Sequence, residues 1–359
     1  GVFTTILQRS IHLGFLLPLC FIYFPASRKS PQHRPSVVDI LLFLGAVCAE
    51  YFVILEHERI YTRMAHLTPL LTSEIVFGSL AVLLVLEGAR RSVSQVLALI
   101  ALVSFAYLIF GHLSIFGFFQ HPEIEYQRVI EQLYLLGQQG IHGVVVGVSA
   151  TYVFLFILFG SFLIHTDVGN YIIQLASYLF GRTSGGPAKV AVTSSCLFGS
   201  ISGSGPANVY ATGSFTIPLM KHLGYSPSFA AGVESAASTG GQYMPPVMGA
   251  VAFIIAETTG ISYYEVCKQA LLSGLLYYFS IFMVVHLESK RLGLERIPKD
   301  YLKSGGYLLA KIYLISPIIV ILAFIIMKYT PFLAAFVGIC ATFLLSFLRK
   351  ETMLSPKRL

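Results

Sequence analysis

Two short segments near the middle of the chain hold the residues whose types and spacing could bind a small ion or an anion. The first reads Ser-Gly-Ser-Gly-Pro at residues 202–206, and the second reads Thr-Gly-Gly-Gln-Tyr-Met-Pro-Pro at residues 239–246. Glycine lowers the cost of unwinding a helix, and proline cannot donate the hydrogen bond that a helix interior needs. Both segments therefore predict irregular backbone. Its hydroxyls and carbonyl oxygens suit a hard cation, and a helix N-terminus beside it suits an anion.

The prolines indicate which backbone groups would be free. Pro245 and Pro246 have no N–H group to offer to the residues four positions earlier. The carbonyls of Gly241 and Gln242 would therefore lack helical partners, and a half-helix would begin beyond the prolines. The proline of the first segment would free the carbonyl of Ser202 in the same way. Two broken elements in succession are typical of the binding site of a secondary transporter.

The composition indicates what kind of protein must position these segments. The chain has 359 residues, of which 55% are hydrophobic and only 11% charged, and its mean hydropathy is +0.75. A soluble domain carries about 25% charged residues. So little charge excludes a soluble enzyme and a disordered chain, because neither could remain in solution with this surface. We expect an all-α polytopic membrane protein.

The net charge of +7 has a simpler explanation than nucleic-acid binding. The basic residues lie in short loops between apolar runs, as the positive-inside rule describes. No nucleic-acid partner is therefore expected. The five cysteines are scattered through apolar segments without metal-binding spacing, so neither a metal centre nor a cofactor is expected beyond a transported cation.

Eight segments are apolar enough to be predicted spans. They cover roughly residues 8–25, 36–55, 69–87, 93–118, 141–165, 267–288, 308–327 and 331–348. The basic residues that mark cytoplasmic loops are Arg28, Lys29, Arg34, Arg90, Arg91, Lys290, Arg291, Arg296, Lys299, Lys303, Arg349, Lys350, Lys357 and Arg358. The N-terminus would then lie outside and the C-terminus inside.

The stretch between Lys189 and Lys221 cannot be one straight span, because both of its ends are predicted to be cytoplasmic. A re-entrant helical hairpin that turns at residues 202–206 fits this stretch. Irregular backbone at that depth requires surrounding protein or a water-filled cavity. The hairpin is therefore predicted to be interior. The following span, about 226–258, is predicted to be the broken helix.

The sequence from residue 185 to residue 246 resembles the large permease subunit of TRAP transporters, the DctM-like family. The matching motifs are GGPAKV at 185–190, LFGSISGS at 197–204, IPLMK at 217–221 and TGGQYMPP at 239–246. These motifs resemble those of the fused 4TM/12TM permeases of the TAXI branch more than those of the dicarboxylate branch. The resemblance covers essentially the whole chain, more weakly before about residue 90.

The resemblance implies an ion-coupled elevator transporter in a bacterial or archaeal cytoplasmic membrane. It would import a small organic anion, such as a dicarboxylate, a keto acid or a glutamate-like compound, from an extracytoplasmic binding protein of the TAXI type. The expected ion-site residues are Ser202, Gly203, Ser204, Thr239, Gly240 and Gly241. The expected substrate-site residues are Ser204, Asn208, Gln242, Pro245 and Pro246. Sodium is the expected coupling ion because hydroxyls and carbonyls suit a hard cation, and a proton is the alternative.

Glu234 is the residue that would carry a proton. It lies in the predicted broken helix, about eight residues before the break. A carboxylate inside a membrane is costly and is therefore a candidate for function. Its type and position leave three interpretations open: proton coupling, a salt bridge, or a place at the membrane interface.

The resemblance also implies an order of regions along the chain. Residues 1–68 would be small-subunit-like helices, 69–140 scaffold helices and an amphipathic connector, 141–258 half of the transport domain, 259–300 a connecting helix and cytoplasmic loop, and 301–359 the start of a second inverted repeat. That second repeat would be truncated before its own hairpin and broken helix.

Two other classes of function, an enzyme and an interaction protein, have also to be considered. The sequence Gly-Ser-Ile-Ser-Gly at 199–203 does not match the motif of an intramembrane serine protease. A zinc-protease motif that began at His57 would need a second histidine at position 61, where the chain has Tyr61. An enzyme is therefore not expected. The alternative is a non-transporting membrane interaction protein, in which the Gly and Pro breaks only help helices to pack.

A truncated second repeat would leave half of the transport site missing, so residues 1–359 alone should not transport. The measurement is uptake into proteoliposomes that contain only this chain. Gradient-dependent uptake by the isolated chain would show the truncation hypothesis to be wrong.

Overall fold

The computed structural model describes residues 3–26, 34–294, 297 and 303–347. These residues form helices and connecting turns, without a β-strand among them. Five helices are long and apolar enough to cross a membrane: Thr5–Tyr23, Val37–Leu55, Thr72–Ser92, Val144–His165 and Tyr263–Leu292. The predicted all-α polytopic membrane class is confirmed. The span count and the inverted repeat remain predictions.

The chain divides into two compact units, Gly1–Ala150 and Thr151–Leu359. The helices of the first unit are α1 (Thr5–Tyr23), α2 (Val37–Leu55), α3 (His57–Thr62), α4 (Thr72–Ser92), α5 (Gln95–Phe110), α6 (Tyr126–Ile130) and α7 (Val144–Val148). Short 3-10 or π-helical turns lie at Ser114–Phe119, Glu131–Leu135 and Ser149–Val153. The five regions inferred from the resemblance remain predictions.

The helices of the second unit are α8 (Phe154–His165), α9 (Val168–Phe180), α10 (Gly186–Ser202), α11 (Gly205–Asn208), α12 (Ser214–His222), α13 (Pro227–Gly240), α14 (Ala250–Thr259), α15 (Tyr263–Leu292), α16 (Gly305–Ala310), α17 (Ser316–Ile326) and α18 (Pro331–Ser346). A π-helical turn, Val209–Gly213, and a 3-10 turn, Ile312–Ile315, complete it.

Two predicted spans are wrong in extent. The span predicted at 93–118 ends at Phe110, because the chain leaves the helix at Gly111 and then turns through Gly117 at a φ of +51°. The span predicted at 308–327 is interrupted at Lys311, which separates α16 from the continuous helical stretch Ile312–Ile326. Apolar composition alone does not reveal either break.

Buried ion pairs tie the helices of the first unit together. Asp39 at the start of α2 accepts from Arg91 at the end of α4, with 2.7 Å between oxygen and nitrogen. Near the other end, Arg59 of α3 pairs with the buried Glu74 at the start of α4. Nε2 of the buried His142 lies 2.8 Å from the carboxylate of Glu50, inside α2. Asp39 and Glu50, which both lie in the span predicted at 36–55, thus each have a partner within this unit.

The loop contacts of the first unit agree with the predicted alternation of sides. Arg90 donates to the carbonyl of Ala26 at 2.9 Å, so the loops that follow α1 and α4 lie together. Arg63 pairs with Glu131 at 2.8 Å, which joins the loop after α3 to the segment after α5. The predicted cytoplasmic residues Arg28, Lys29, Arg296, Lys299, Arg349, Lys350, Lys357 and Arg358 lie outside the described residues.

The predicted helical hairpin is present, with its turn at the predicted place. Helix α10 ends at Ser202, and Gly203 reverses the chain at a φ of +61°. Ser204 then caps α11, in whose first turn Pro206 lies. The π-helical turn and α12 complete the return arm. Ser195 on the first arm lies 3.0 Å, hydroxyl to hydroxyl, from Thr212 on the second, so the two arms pack side by side.

The predicted broken helix is also present. Helix α13 ends at Gly240, residues 241–249 are irregular, and α14 begins at Ala250. The break packs against the first hairpin arm so closely that Gly199 and Gly241 meet backbone to backbone. Helix α15 covers the other side, where the Tyr278 hydroxyl donates to the carbonyl of Ala237 at 2.8 Å. The break is therefore interior to this unit, as predicted.

Replacing Gly241 with alanine should destabilise the protein by about 1–3 kcal/mol, the usual cost of overpacking a close contact. A Cβ there would lie 2.5 Å from the Cα of Gly199, and backbone atoms cannot give way as a flexible side chain can. The φ of −59° suits alanine, so the effect would be steric. The measurement is thermal unfolding in detergent, followed by circular dichroism.

Gly232→Ala is the matched control. Gly232 lies in the same α13 helix, and a Cβ there meets nothing within 4 Å. Its unfolding temperature should not fall, because alanine has the higher helix propensity. Equal unfolding temperatures for the two variants would contradict the proposed close packing of Gly199 on Gly241.

Candidate functional site

The hairpin tip lies directly on the helix break. The backbone N–H of Val247 donates to the carbonyl of Ser200 at 3.0 Å. Gly203 faces the carbonyl of Met248 so closely that a Cβ would overlap it, and its φ of +61° also favours glycine. The two irregular segments thus provide each other with hydrogen-bond partners and contact surface.

A cavity of about 750 Å³ opens beside this contact. Ser202, Gly203 and Ser204 line it from the hairpin tip, and Gln242 lines it from the helix break. Apolar side chains, including Phe156 of α8, form much of the rest. This size and this mixture of apolar walls with a few polar groups are typical of a small-molecule site.

The cavity has no charged side chain among the described residues that line it. An anion in it would therefore be held by hydroxyl, amide and backbone N–H groups. Gly249, Ala250 and Val251 lie in its wall, and they form the N-cap and first turn of α14. The N-terminus of this helix carries a partial positive charge, which favours a carboxylate nearby. The half-helix predicted beyond the prolines therefore begins at the cavity.

The other predicted site residues lie away from the cavity wall. Thr239 is exposed, and its hydroxyl donates to the carbonyl of Ser235 at 2.8 Å. Gly240 packs against the ring of Tyr277. The buried Gly241 faces the hairpin arm rather than the cavity.

The prolines of the break are buried or partly buried, and the carbonyls of Pro246 and Gln242 accept hydrogen bonds. The carbonyl of Pro246 accepts from the Tyr263 hydroxyl at 3.1 Å, and Pro245 is partly buried. The carbonyl of Gln242 has no helical partner, as predicted, but it is not free, because the backbone N–H of Gly249 donates to it at 3.1 Å. The irregular segment folds back on itself and so recovers this hydrogen bond.

Asn208 is fully buried and joins the hairpin to α13. Its side-chain nitrogen donates to the carbonyl of Ser195 at 2.8 Å and lies 3.5 Å from the carbonyl of Ser238. Two carbonyl acceptors fix which end of the amide faces them. The side-chain oxygen therefore points the other way, toward Thr212.

The structure also contains a polar cluster that the sequence interpretation missed. The carboxylate of Glu234 is 0% exposed and accepts from four hydroxyls. The donors and their distances to it are Ser195 at 2.9 Å, Thr212 at 2.6 Å, Thr216 at 2.5 Å and Ser238 at 3.0 Å. We call these five residues the Glu234 cage. They come from α10, the return arm of the hairpin, and α13.

The cage bears on the interpretations left open for Glu234. Its carboxylate is fully buried within the protein. No basic side chain pairs with Glu234 within the described part of the chain, which removes the salt bridge there. Proton coupling and a place at the depth of the membrane interface remain predictions.

Spacing in the sequence could have indicated the cage. Asn208, Thr212 and Thr216 follow one another at intervals of four, as do Glu234 and Ser238. Residues four apart share one face of a helix. The spacing does not show that these two faces meet, because that depends on how the hairpin packs on α13.

Comparison with known proteins places the chain in a family. Residues 80–358 match the family model described as the tripartite ATP-independent periplasmic transporter, DctM component. The chain is 31% identical over 148 residues to the C4-dicarboxylate TRAP transporter large permease protein DctM of Pseudomonas aeruginosa, which is 41% of this chain and 34% of that protein.

Two further relatives are also similar to part of the chain. The isethionate TRAP transporter permease protein DctMQ of Oleidesulfovibrio alaskensis is 31% identical over 40% of this chain and 22% of its own length. The sialic acid TRAP transporter large permease protein SiaM of Vibrio cholerae is 27% identical over 51% of this chain and 43% of its own length. The chain thus spans less than half the length of each of these relatives. Since the family model covers far more than half of the chain, this protein belongs to the DctM component family of the tripartite ATP-independent periplasmic transporters.

Proposed function

We propose that this chain is part of the permease of a binding-protein-dependent, ion-coupled secondary transporter that imports a small organic anion. The observation that carries the proposal is the cavity of about 750 Å³ between hairpin tip and helix break. Its polar groups are neutral donors and acceptors, and the N-terminus of α14 lies in its wall. Such broken helices supply the binding sites of many secondary transporters.

The substrate class is a small carboxylate-bearing anion, such as a dicarboxylate, a keto acid or a glutamate-like compound. The relatives are named for a C4-dicarboxylate, isethionate and sialic acid, all of which are anions. Ser204 and Gln242 are the side chains in the cavity wall that we assign to this substrate. Asn208, Pro245 and Pro246, also expected there, would act by holding the surrounding backbone.

The mechanism that we propose is an elevator movement in which the hairpin and the broken helix travel together. Three contacts within the second unit support their moving as one body. Val247 bonds to Ser200, Gly241 packs on Gly199, and Asn208 reaches both α10 and α13. Separating them would expose buried polar groups, which costs free energy.

Sodium is the proposed coupling ion, bound at the hairpin tip by Ser202, Gly203 and Ser204 with the segment from Thr239 to Gly241. A proton carried by Glu234 is the alternative. The proposed partners are an extracytoplasmic binding protein of the TAXI type and the second half of the permease. The proposed location is the inner membrane of a bacterium or an archaeon.

The competing proposal is a membrane interaction protein whose breaks serve only packing. It is favoured by Gly240 and Gly241, which lie against Tyr277 and Gly199 rather than in the cavity. It leaves the cavity beside the hairpin tip without a role. The two proposals differ in whether water reaches that cavity: a transport site requires it, and a packing role does not.

Uptake should require both the binding protein and one ion gradient. The complete permease that contains these residues is reconstituted into proteoliposomes with a candidate binding protein and a panel of small organic acids. Sodium and proton gradients are imposed separately. Uptake that needs the binding protein and the sodium gradient is the expected result, since hydroxyls and carbonyls at the hairpin tip suit a hard cation. Folded protein without gradient-dependent uptake of any acid would favour the packing role.

Cysteines placed in the cavity wall should react with a water-soluble thiol reagent. Ser204→Cys and Gln242→Cys are expected to be labelled, because both positions line the cavity. Asn208→Cys is the buried control and should resist labelling. The five native cysteines are replaced beforehand. Equal resistance at all three positions would contradict a water-filled site and support packing alone.

A further inference from the structure

The Glu234 cage contains more closely spaced oxygens than its own hydroxyl protons can join. Each of its four hydroxyls carries one proton. Thr212 lies 2.8 Å from the carbonyl of Asn208 as well as 2.6 Å from Glu234, and Thr216 lies 3.0 Å from the carbonyl of Thr212 as well as 2.5 Å from Glu234. One proton cannot serve two acceptors fully. The four protons therefore cannot satisfy the carboxylate and both carbonyls at once.

A negative charge on Glu234 would be uncompensated within the described part of the chain. Glu234 has no ion-pair partner there, although it is 0% exposed. An isolated ionised carboxylate is very costly away from water unless it is paired or coordinates a cation. A monovalent cation would neutralise this carboxylate, whereas a divalent cation would leave an excess positive charge.

The side-chain polar atoms that meet in the cage are oxygens. They are the two carboxylate oxygens of Glu234 and the hydroxyls of Ser195, Thr212, Thr216 and Ser238. The side-chain oxygen of Asn208 lies 3.4 Å from the Thr212 hydroxyl and adds a seventh. Oxygen ligands without nitrogen or sulfur suit a hard cation rather than a transition metal. A single proton needs only one oxygen and one acceptor, which is far fewer than the cage provides.

We propose that the Glu234 cage binds a sodium ion, at a position separate from the hairpin tip. Thr212 and Thr216 would turn their protons toward the backbone carbonyls of Asn208 and Thr212, and their lone pairs toward the ion. The ligands come from α10, from the return arm of the hairpin, and from α13, so a bound ion would hold the three together. The role of this ion in transport rests on the proposed function, but its binding can be measured without transport.

The experiment follows thermal unfolding of the purified chain in detergent by circular dichroism. Sodium chloride is titrated against choline chloride at constant ionic strength. A ligand that binds the folded state raises the unfolding temperature as its concentration rises above the dissociation constant. The same titration is made with the double variant Ser202→Ala, Ser204→Ala, so that a response from the hairpin tip is separated from a response of the cage.

The expected result is a saturable rise with sodium that persists in the hairpin-tip variant and is lost in Glu234→Gln. Glu257→Gln is the matched control, because Glu257 is exposed on α14, and it should keep the response. A Glu234→Gln variant with the full sodium response would overturn the proposal. An unfolding temperature that depends on pH through Glu234, but not on sodium, would overturn it in favour of a proton site.

A second variant keeps the proposal testable where Glu234→Gln does not fold. Ser238→Ala retains the carboxylate and removes one ligand, so half-maximal stabilisation should need roughly tenfold more sodium. Ser235→Ala is its control, since Ser235 lies on the same helix but is exposed. Equal sodium responses in these two variants would overturn the proposal, whatever the uptake experiment shows.

Discussion

The requirement that buried backbone groups find partners within the protein governs the second unit. A hairpin tip and a helix break each leave groups that a regular helix would have satisfied. In this protein each segment provides contacts for the other. The N–H of Val247 donates to the carbonyl of Ser200, and Gly203 packs against the carbonyl of Met248. The two breaks are therefore stable together, and the cavity lies where their polar groups meet apolar walls.

Local chemistry allowed the hairpin turn at 202–206 and the break after Gly240 to be predicted, because glycine and proline act on the backbone where they stand. Contacts between helices could not be predicted in the same way. Gly240 and Gly241 are neighbours in sequence, yet one packs on α15 and the other on α10. The partner of the Gln242 carbonyl and the Glu234 cage depend on how the chain folds back and how helices rotate, which one sequence does not reveal.

Polar contacts in this unit are concentrated where the hairpin meets α13. Asn208 bridges two carbonyls on different helices, and the cage draws hydroxyls from both hairpin arms toward one carboxylate. The core around them includes four alanines, Ala188, Ala191, Ala230 and Ala237, whose small side chains allow close approach. Small residues bring the helices near enough for short polar side chains to meet, and those side chains then fix the register of the packing.

The paired ends of α2 and α4 have a consequence for the surrounding lipid. Asp39 with Arg91 joins α2 to α4 near one end. Near the other end, Glu74 of α4 pairs with Arg59 of the short helix α3, which follows α2 after Glu56. A membrane helix usually adapts to a thinner or thicker bilayer by changing its tilt. Contacts of this kind near both ends of α4 restrict how far α2 and α4 can tilt separately. A mismatch in thickness around this pair must then be absorbed by stretching or compressing the lipid chains that border it.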